Sequence, residues 1–399
     1  MDFSVPQEAK QINRAIDEFM QQEVKPLESE HPGFFDEDRD RTIVDDDHHQ
    51  RSEYRDLVET VKRKSAEAGF YGMEMPTEVG GGGVDILTRS IVGEHVANRP
   101  SGLHDHAVLG TEGGPTPILM RCDEQQRERF LYPLMNAEIS TAFAISEPEH
   151  GSDPQFMNTT AEKDGDEWVI NGKKYWISNG PYADFAMVFV RTSGEDGDIG
   201  GITCFLVDSA NPGYEVGKIH RTMGLTPGTQ SELVFDNCRV SEDQILGEVD
   251  EGFQMAMEWI GGGRLNIAAH TVGKAQFLLD LAVEYADQRE TFGEPLKSRQ
   301  AISFPLADLA TDIVQTRQLY RYAAWKMDQE EHVRKEESMA KLRGAELYNK
   351  AADLAMQIHG GAGFMKSLPI EHEYRAARVF RIFEGTDEIQ KRTIANELF

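Results

Sequence analysis

Apolar residues recur three and four positions apart through the first part of the chain. Ile12, Ile16 and Phe19 share one face of a helix that Ser4 is placed to cap. Tyr54, Leu57, Val58 and Val61 mark a second helix that breaks near Gly69. Between them HPGFFDEDRDRTIVDDDHHQ is acidic, has no period and reads as a loop. Glycines 80 to 83 predict a tight loop before a third helix around residues 86–98. From about residue 141 the pattern changes. EWVINGKKYWISNG, DFAMVFVRT, GITCFLVDS and SELVFDNCRV are short β-branched and aromatic runs parted by Gly, Asn and Asp. Asn171-Gly172 predicts a hairpin between two such runs. Helical spacing returns near 253–288, 300–330, 335–358 and 387–398, with Pro305 expected to bend its helix or mark a late start. The pattern predicts an α+β chain of three parts: an N-terminal α-helical domain (1–140), a middle antiparallel β-barrel or sandwich (141–250) and a C-terminal α-helical bundle (251–399).

A length of 399 residues suits two or three cores, and 39% hydrophobic content suits a folded chain. Apolar runs are too short and too interrupted for a membrane span, and the acidic N-terminus lacks the basic start of a secretory signal, so a cytoplasmic enzyme is expected. The three cysteines, Cys122, Cys204 and Cys238, are scattered and suggest neither disulfides nor a zinc site. Charge adds more. Sixty-nine acids against 41 bases give a net charge of −28, which argues against binding nucleic acid or anionic membrane. The bases are 25 Arg and 16 Lys; an acidic, Lys-poor chain is what a high-salt cytoplasm favours.

Candidate chemistry gathers in five segments. FAISEPEHGSDP, from Phe143 to Pro154, is rich in hydrogen-bonding groups and suits either a structural turn or a polar ligand. Trp176-Ile177-Ser178 sets a large flat ring near a hydroxyl, in a core or on a flat cofactor. Arg289-Glu290-Thr291-Phe292-Gly293 places a cation near a turn. Gln357-Ile358-His359-Gly360-Gly361 ends a helix with glycines that stop it or admit a pyrophosphate. Arg381-Ile382-Phe383-Glu384-Gly385-Thr386 sets a carboxylate among apolar residues, where it resists ionisation and becomes a better base near neutral pH. Asp45-Asp46-Asp47-His48-His49 and His104-Asp105-His106 lack a spaced ligand set, so no metal site is expected. His359 reads as a capping or packing residue.

In this order, on a helical–β–helical pattern, the five segments resemble the FAD-dependent acyl-CoA dehydrogenase family along essentially the whole chain. The resemblance implies α,β-dehydrogenation of an acyl-CoA thioester. Glu384 would take the α-proton, the β-hydrogen would leave as hydride to flavin N5, and electrons would pass to electron-transfer flavoprotein. It implies that Phe143, Ile145 and Ser146 line the flavin, Trp176 covers the ring system and Ser178 lies near its N5 edge, with Ile177 beside them. Arg289, Thr291, Phe292, Gln300, Gln357, Gly360 and Gly361 would reach the FAD of a neighbouring subunit in a homotetramer. Thr386 would contact the adenosine side of the cofactor, with Glu388 near it. Ser152 and Arg264 would meet CoA, and Phe383 and Gly385 would flank the substrate; Ser152 would also touch the cofactor.

Departures from the family pattern bear on substrate choice. Gly261 stands where an acid is common, and Gly263 where some relatives carry their base, which leaves Glu384. Three consecutive glycines in a helix cost about 1 kcal/mol each relative to Ala. Either the helix bends there or something approaches it closely. Glu388 replaces a common Gln, His150 a small residue and Ala376 an acid. Rival readings on the same scaffold are an acyl-CoA oxidase, a nitroalkane or monooxygenase relative, and a DNA-binding flavoprotein. The charge argues against the last.

Overall fold

A computed structural model of the chain describes residues 4–399, apart from the side chain of His106. Its main helices are α1 (Gln7–Phe19), α2 (Ser52–Glu67), α3 (Ile86–Ala97), α4 (Gly252–Gln288), α5 (Gln300–Asp328), α6 (Arg334–His359), α7 (Ile370–Ala377) and α8 (Asp387–Asn396). Its strands are β1 (Thr141–Ala144), β2 (Thr160–Asp164), β3 (Glu167–Ser178), β4 (Phe185–Arg191), β5 (Ile202–Asp208), β6 (Tyr214–Ile219), β7 (Gln230–Ser241) and β8 (Ile245–Leu246), followed by the short pair β9 (Glu290–Thr291) and β10 (Glu294–Pro295). The helical–β–helical class expected from the sequence is the observed one. By compactness the chain forms two units, one of residues up to Arg39, 84–105 and 260–399, the other of residues 40–83 and 106–259.

In the first unit, α4, α5 and α6 pack around Leu265, Leu278, Leu309, Ile313, Tyr320 and Tyr348. Ala268, Ala275, Ala340, Ala345, Ala351 and Ala355 are buried between them, and such small side chains let helix backbones approach closely. The start of α3 is well capped. Asp85 accepts from the Thr88 N–H (2.7 Å), and the Asp328 carboxylate accepts from Ile86 N–H (2.8 Å) and Leu87 N–H (3.0 Å). Three donors that a helix cannot satisfy internally are thus paired. A buried polar knot ties α4 to α7: Lys274 donates to Ser101 Oγ (2.9 Å), Arg99 O (3.1 Å) and Glu373 (3.3 Å), and Tyr348 donates to Glu373. α1 begins at Gln7 with Pro6 at its cap position, so Ser4 lies outside the helix and does not cap it.

The second unit is built on one sheet of order β6-β7-β3-β2-β4-β5-β8, with β1 beside β4. Most pairs are antiparallel, but β1 runs parallel to β4, and β2 meets β4 in parallel at Thr160 and Arg191. β4 is buried throughout and feeds two cores. Phe185, Met187 and Phe189 point to one with Phe130, Leu134 and Ile118, while Ala186, Val188 and Val190 point to the other with Trp168 and Phe205. The predicted hairpin at Asn171-Gly172 is wrong. The turn between β2 and β3 is Gly165-Asp166, and Asn171-Gly172 lies inside β3 at a shift in its pairing with β7. A Cβ on Gly172 (φ +146°) would lie 2.6 Å from Thr159 Cα. Glycine serves close backbone approach there and not a turn. Among the described residues no helix is long and apolar enough to cross a membrane.

Candidate active site

Glu384 lies in the loop between the turn Arg378–Arg381 and α8. Its own φ is +49° and that of Gly385 is +88°, two left-handed residues in succession. That conformation costs a residue with a side chain on the order of 1 kcal/mol or more, so the surroundings must hold it. They do. Gln390 Nε2 donates to Glu384 O (2.9 Å) and Gly385 O (3.0 Å), Lys341 Nζ donates to Gly385 O (2.7 Å), and the Thr386 hydroxyl accepts from Ile389 N–H (3.3 Å) to start α8. Phe383 packs on Phe380 (5.0 Å), which stacks on His270 (5.3 Å), so an aromatic wall adjoins the loop.

The Glu384 carboxyl is sunk against α4. Its Oε2 is buried and has no hydrogen-bond partner among the described residues. A Cβ on Gly263 would come within 2.6 Å of that oxygen. Gly261 plays the matching part for a second acid: a Cβ there would lie 2.9 Å from Glu337 Oε2. Glu337 in turn binds the Arg264 guanidinium (2.9 Å) with both side chains largely buried. The glycine run therefore does not interrupt α4; it admits two carboxylates. Burial raises the Glu384 pKa to about 7, against the opposing pull of Lys341 and Arg264.

A second constellation occupies the sheet. Lys174 points inward from β3 and binds Glu147 (2.8 Å), which also accepts from Asn158 N–H (2.6 Å) and Thr159 N–H (2.9 Å). Burial alone would raise the Glu147 pKa, but Lys174 and these donors hold it below the ordinary carboxylate value. The pair fastens the loop after β1. There Ile145 is buried, Ser146 is half-buried with its carbonyl accepting from Tyr175 N–H (2.8 Å), and Ser152 is exposed. Phe143 stacks on Trp259 (4.1 Å between centroids) and packs on Phe189. Two residues beyond Lys174 the strand bulges. Trp176 takes φ +55° and stands 53% exposed, edge-on to Tyr175. Ile177 turns inward, and the exposed Ser178 hydroxyl accepts from Gln230 Nε2 (2.8 Å). Trp176 edges a cleft of about 460 Å³ shared with Lys218, His220 and Arg221. An exposed indole beside cationic groups fits a flat, anionic flavin nucleotide.

The remaining candidates lie on exposed ends of the helical unit. Phe292-Gly293 forms the two-residue loop of the β9–β10 hairpin with both φ positive, and Phe292 is 97% exposed with the Arg299 guanidinium over its ring. Arg289 and Gln300 are exposed at either side of that hairpin and Thr291 is half-buried within it. Gln357, Gly360 and Gly361 are exposed where α6 ends, whereas His359 is buried, bonded to Ala355 O (2.8 Å) and stacked on Tyr285. Glu388 is exposed in the first turn of α8. Sequence reasoning missed Lys341, Glu337, Gln390 and Lys174. The available signal was a charged or amide residue on an otherwise buried face, as in Ala340-Lys341-Leu342. Among the described residues there is no group of three or more His, Cys, Asp or Glu side chains arranged for a metal ion. The Asp45 carboxylate accepts instead from Asp47 and His49 N–H in a local turn.

Glu384 keeps its proton in the folded chain up to about pH 7, but would release it near 4.5 when unfolded. Stability from this group is whole below pH 4.5 and is lost as the pH rises through 7. Glu384→Gln, which cannot ionise, is expected to be on the order of 3 kcal/mol more stable than the parent at pH 8 and close to it at pH 4.5. Denaturant titrations at both pH values check this, and an equal difference at both would show that the carboxyl is solvated.

Three family models cover the chain: the acyl-CoA dehydrogenase N-terminal domain over residues 6–138, the middle domain over 142–238 and the C-terminal domain over 250–399. The chain is 38% identical to the mitochondrial short-chain specific acyl-CoA dehydrogenase of Rattus norvegicus, across 84% of this chain and 81% of that one. It is 37% identical to CarC, a subunit of the caffeyl-CoA reductase–Etf complex of Acetobacterium woodii, across 84% and 88%. Butyryl-CoA dehydrogenase of Megasphaera elsdenii superposes over the whole of both chains with a TM-score of 0.86 at 30% identity. Matched along nearly its whole length by these models and over 84% of it by a relative 38% identical, the chain belongs to the acyl-CoA dehydrogenase family of flavoprotein oxidoreductases.

Proposed function

We propose that this protein is a cytoplasmic FAD-dependent acyl-CoA dehydrogenase in which Glu384 removes the α-proton of an acyl thioester. The observation that carries this reading is the Glu384 carboxyl itself, buried with Oε2 unpartnered against Gly263 and with a pKa of about 7. An α-proton of a thioester is a weak acid, and a base matched to neutral pH and stripped of water is what its removal needs. Lys341 and Gln390 hold the left-handed Glu384-Gly385 turn by its carbonyls, and its N–H groups would stabilise a developing enolate oxygen. Phe383 and Gly385 flank the base and would border the acyl group. Ser152 and Arg264 would meet the CoA portion, Arg264 being held in place by Glu337.

FAD, when bound, supplies the acceptor for the β-hydrogen as hydride. Trp176, Ile177, Ser178, Ser146, Ile145 and Phe143 would hold its ring system, and Thr386 with Glu388 its adenosine side. Arg289, Thr291, Phe292, Gln300, Gln357, Gly360 and Gly361 would serve the cofactor of a neighbouring copy in a homotetramer. The outward aromatic tip at Phe292 and the exposed Phe304, Tyr322, Trp325, Phe364 and Met365 support burial against other copies. Electron-transfer flavoprotein is the proposed electron acceptor, in keeping with a relative that is named as part of an Etf complex. A second reading is favoured by the same relative's name: reduction of an enoyl-CoA. A carboxyl with a pKa near 7 can return the proton as readily as take it.

The test is an anaerobic absorbance titration of the flavin-loaded protein, in high salt, with saturated acyl-CoAs from butyryl to palmitoyl. Bleaching by at least one of them is expected, with Glu384→Gln retaining flavin and acyl-CoA but not bleaching. Flavin that no acyl-CoA reduces, but that dithionite and an enoyl-CoA cycle, would favour the reductase. Gly263→Ala would push the carboxyl from its pocket, and the rate of flavin reduction should fall about 100-fold with flavin retained. An unchanged rate would mean that Glu384 does not act from this position.

A further inference from the structure

Two cations of the helical unit face the Glu384 carboxyl, Lys341 of α6 and Arg264 of α4. They are not equivalent. Arg264 is engaged by the buried Glu337 carboxylate at 2.9 Å. A contact ion pair acts on a third group as a dipole, so much of the guanidinium's field is cancelled. Lys341 is fully buried and has no carboxylate within ion-pair distance among the described residues. Its Nζ donates to Gly385 O (2.7 Å) and lies 6.0 Å over the Phe383 ring. The acid that acts on it most strongly, Asp387 of α8, is itself paired with Arg381 at 2.6 Å, and Glu384 comes next. Arg264 and Asp387 thus each have an ion-pair partner, whereas Glu384 and Lys341 have none among the described residues. An unpaired buried ammonium is expensive and is kept only where its charge or its donors are used.

We propose that Lys341 is the positioning residue of the base: it clamps the carbonyl of the left-handed turn that aims Glu384, and its ammonium is the charge that lets the buried carboxylate ionise. This rests on the reading of Glu384 as the α-proton base. Burial draws the Lys341 pKa down to about 8, so the ammonium is still present at neutral pH. Gln390 shares the mechanical part of the role, since it grips the carbonyls of Glu384 and Gly385, but it carries no charge. Geometry and charge can therefore be separated by substitution.

The experiment compares Lys341→Met, Lys341→Arg and Gln390→Leu in the flavin-loaded protein, with two readouts across pH 5–9. The first is the rate of flavin reduction by a reducing acyl-CoA. The second, which needs no turnover, is the infrared carbonyl stretch of the protonated Glu384, assigned by its loss in Glu384→Gln. In Lys341→Met both the acid limb of the rate profile and the infrared midpoint should move up by about one to two pH units. In Gln390→Leu the rate should fall with both midpoints in place. An unmoved infrared midpoint in Lys341→Met, or an equal shift in Gln390→Leu, would overturn the proposal. Should Lys341→Met fail to fold, Lys341→Arg decides: a slower enzyme with the parent midpoint supports the charge, and a shifted midpoint contradicts it. A parent protein that no acyl-CoA reduces would sink the dehydrogenase reading, while the infrared titration would still report on Lys341.

Discussion

A buried carboxyl oxygen without a partner is the costly element around which this part of the helical unit is arranged. Burying an ionisable group disfavours its charged form, and the usual remedy is a salt bridge or several hydrogen bonds. Glu384 is denied that remedy at Oε2, and what remains is a charge at a distance and a backbone held in place. Full pairing would have dropped its pKa and made it a poor base; no compensation at all would have kept it protonated. The arrangement lies between. It explains why α4 tolerates glycines at 261 and 263, each worth about 1 kcal/mol of lost helix stability: any side chain there would take the space of an acid.

Backbone strain follows a related logic. Bulky residues with left-handed φ are uncommon, yet Trp176, Phe292 and Glu384 all adopt it, and all three are candidate site residues. In each case the strain turns a side chain away from where the regular element would send it. The bulge in β3 sends Trp176 outward while its neighbour Ile177 and the preceding Lys174 are buried. The β9–β10 turn projects Phe292 into solvent. The loop before α8 drives Glu384 inward. Each is secured nearby, by the Lys174–Glu147 pair with the loop after β1, by Arg299 bonding Thr291 O, and by Lys341 with Gln390.

The long helices were legible in the sequence because a 3.6-residue period sustained over 25 or more residues is a strong local signal; 253–288 and 335–358 were read, and 252–288 and 334–359 are observed. The resistance of Glu384 to ionisation was legible too, since a lone acid among Ile, Phe and Gly is a local anomaly. What failed was local chemistry overruled by tertiary demand. Asn171-Gly172 has the composition of a hairpin turn, but its glycine answers to Thr159, the residue just before β2. Ser4 resembles a cap, but Pro6 takes the cap position and the helix begins at Gln7. The partners of Glu384 were harder to read because Glu337 and Lys341 lie 47 and 43 residues before it: a charge on the buried face of α6 is unusual, but it does not say which group it faces.

If Glu384 and no other group takes the α-proton, exchange of the C2 protons of a bound acyl-CoA in deuterated water depends on its carboxylate, and mass spectrometry follows that exchange with the parent protein and with Glu384→Gln. Deuterium entering at C2 with the parent and not with Glu384→Gln is the predicted result. Exchange at the same rate in both would place the base elsewhere.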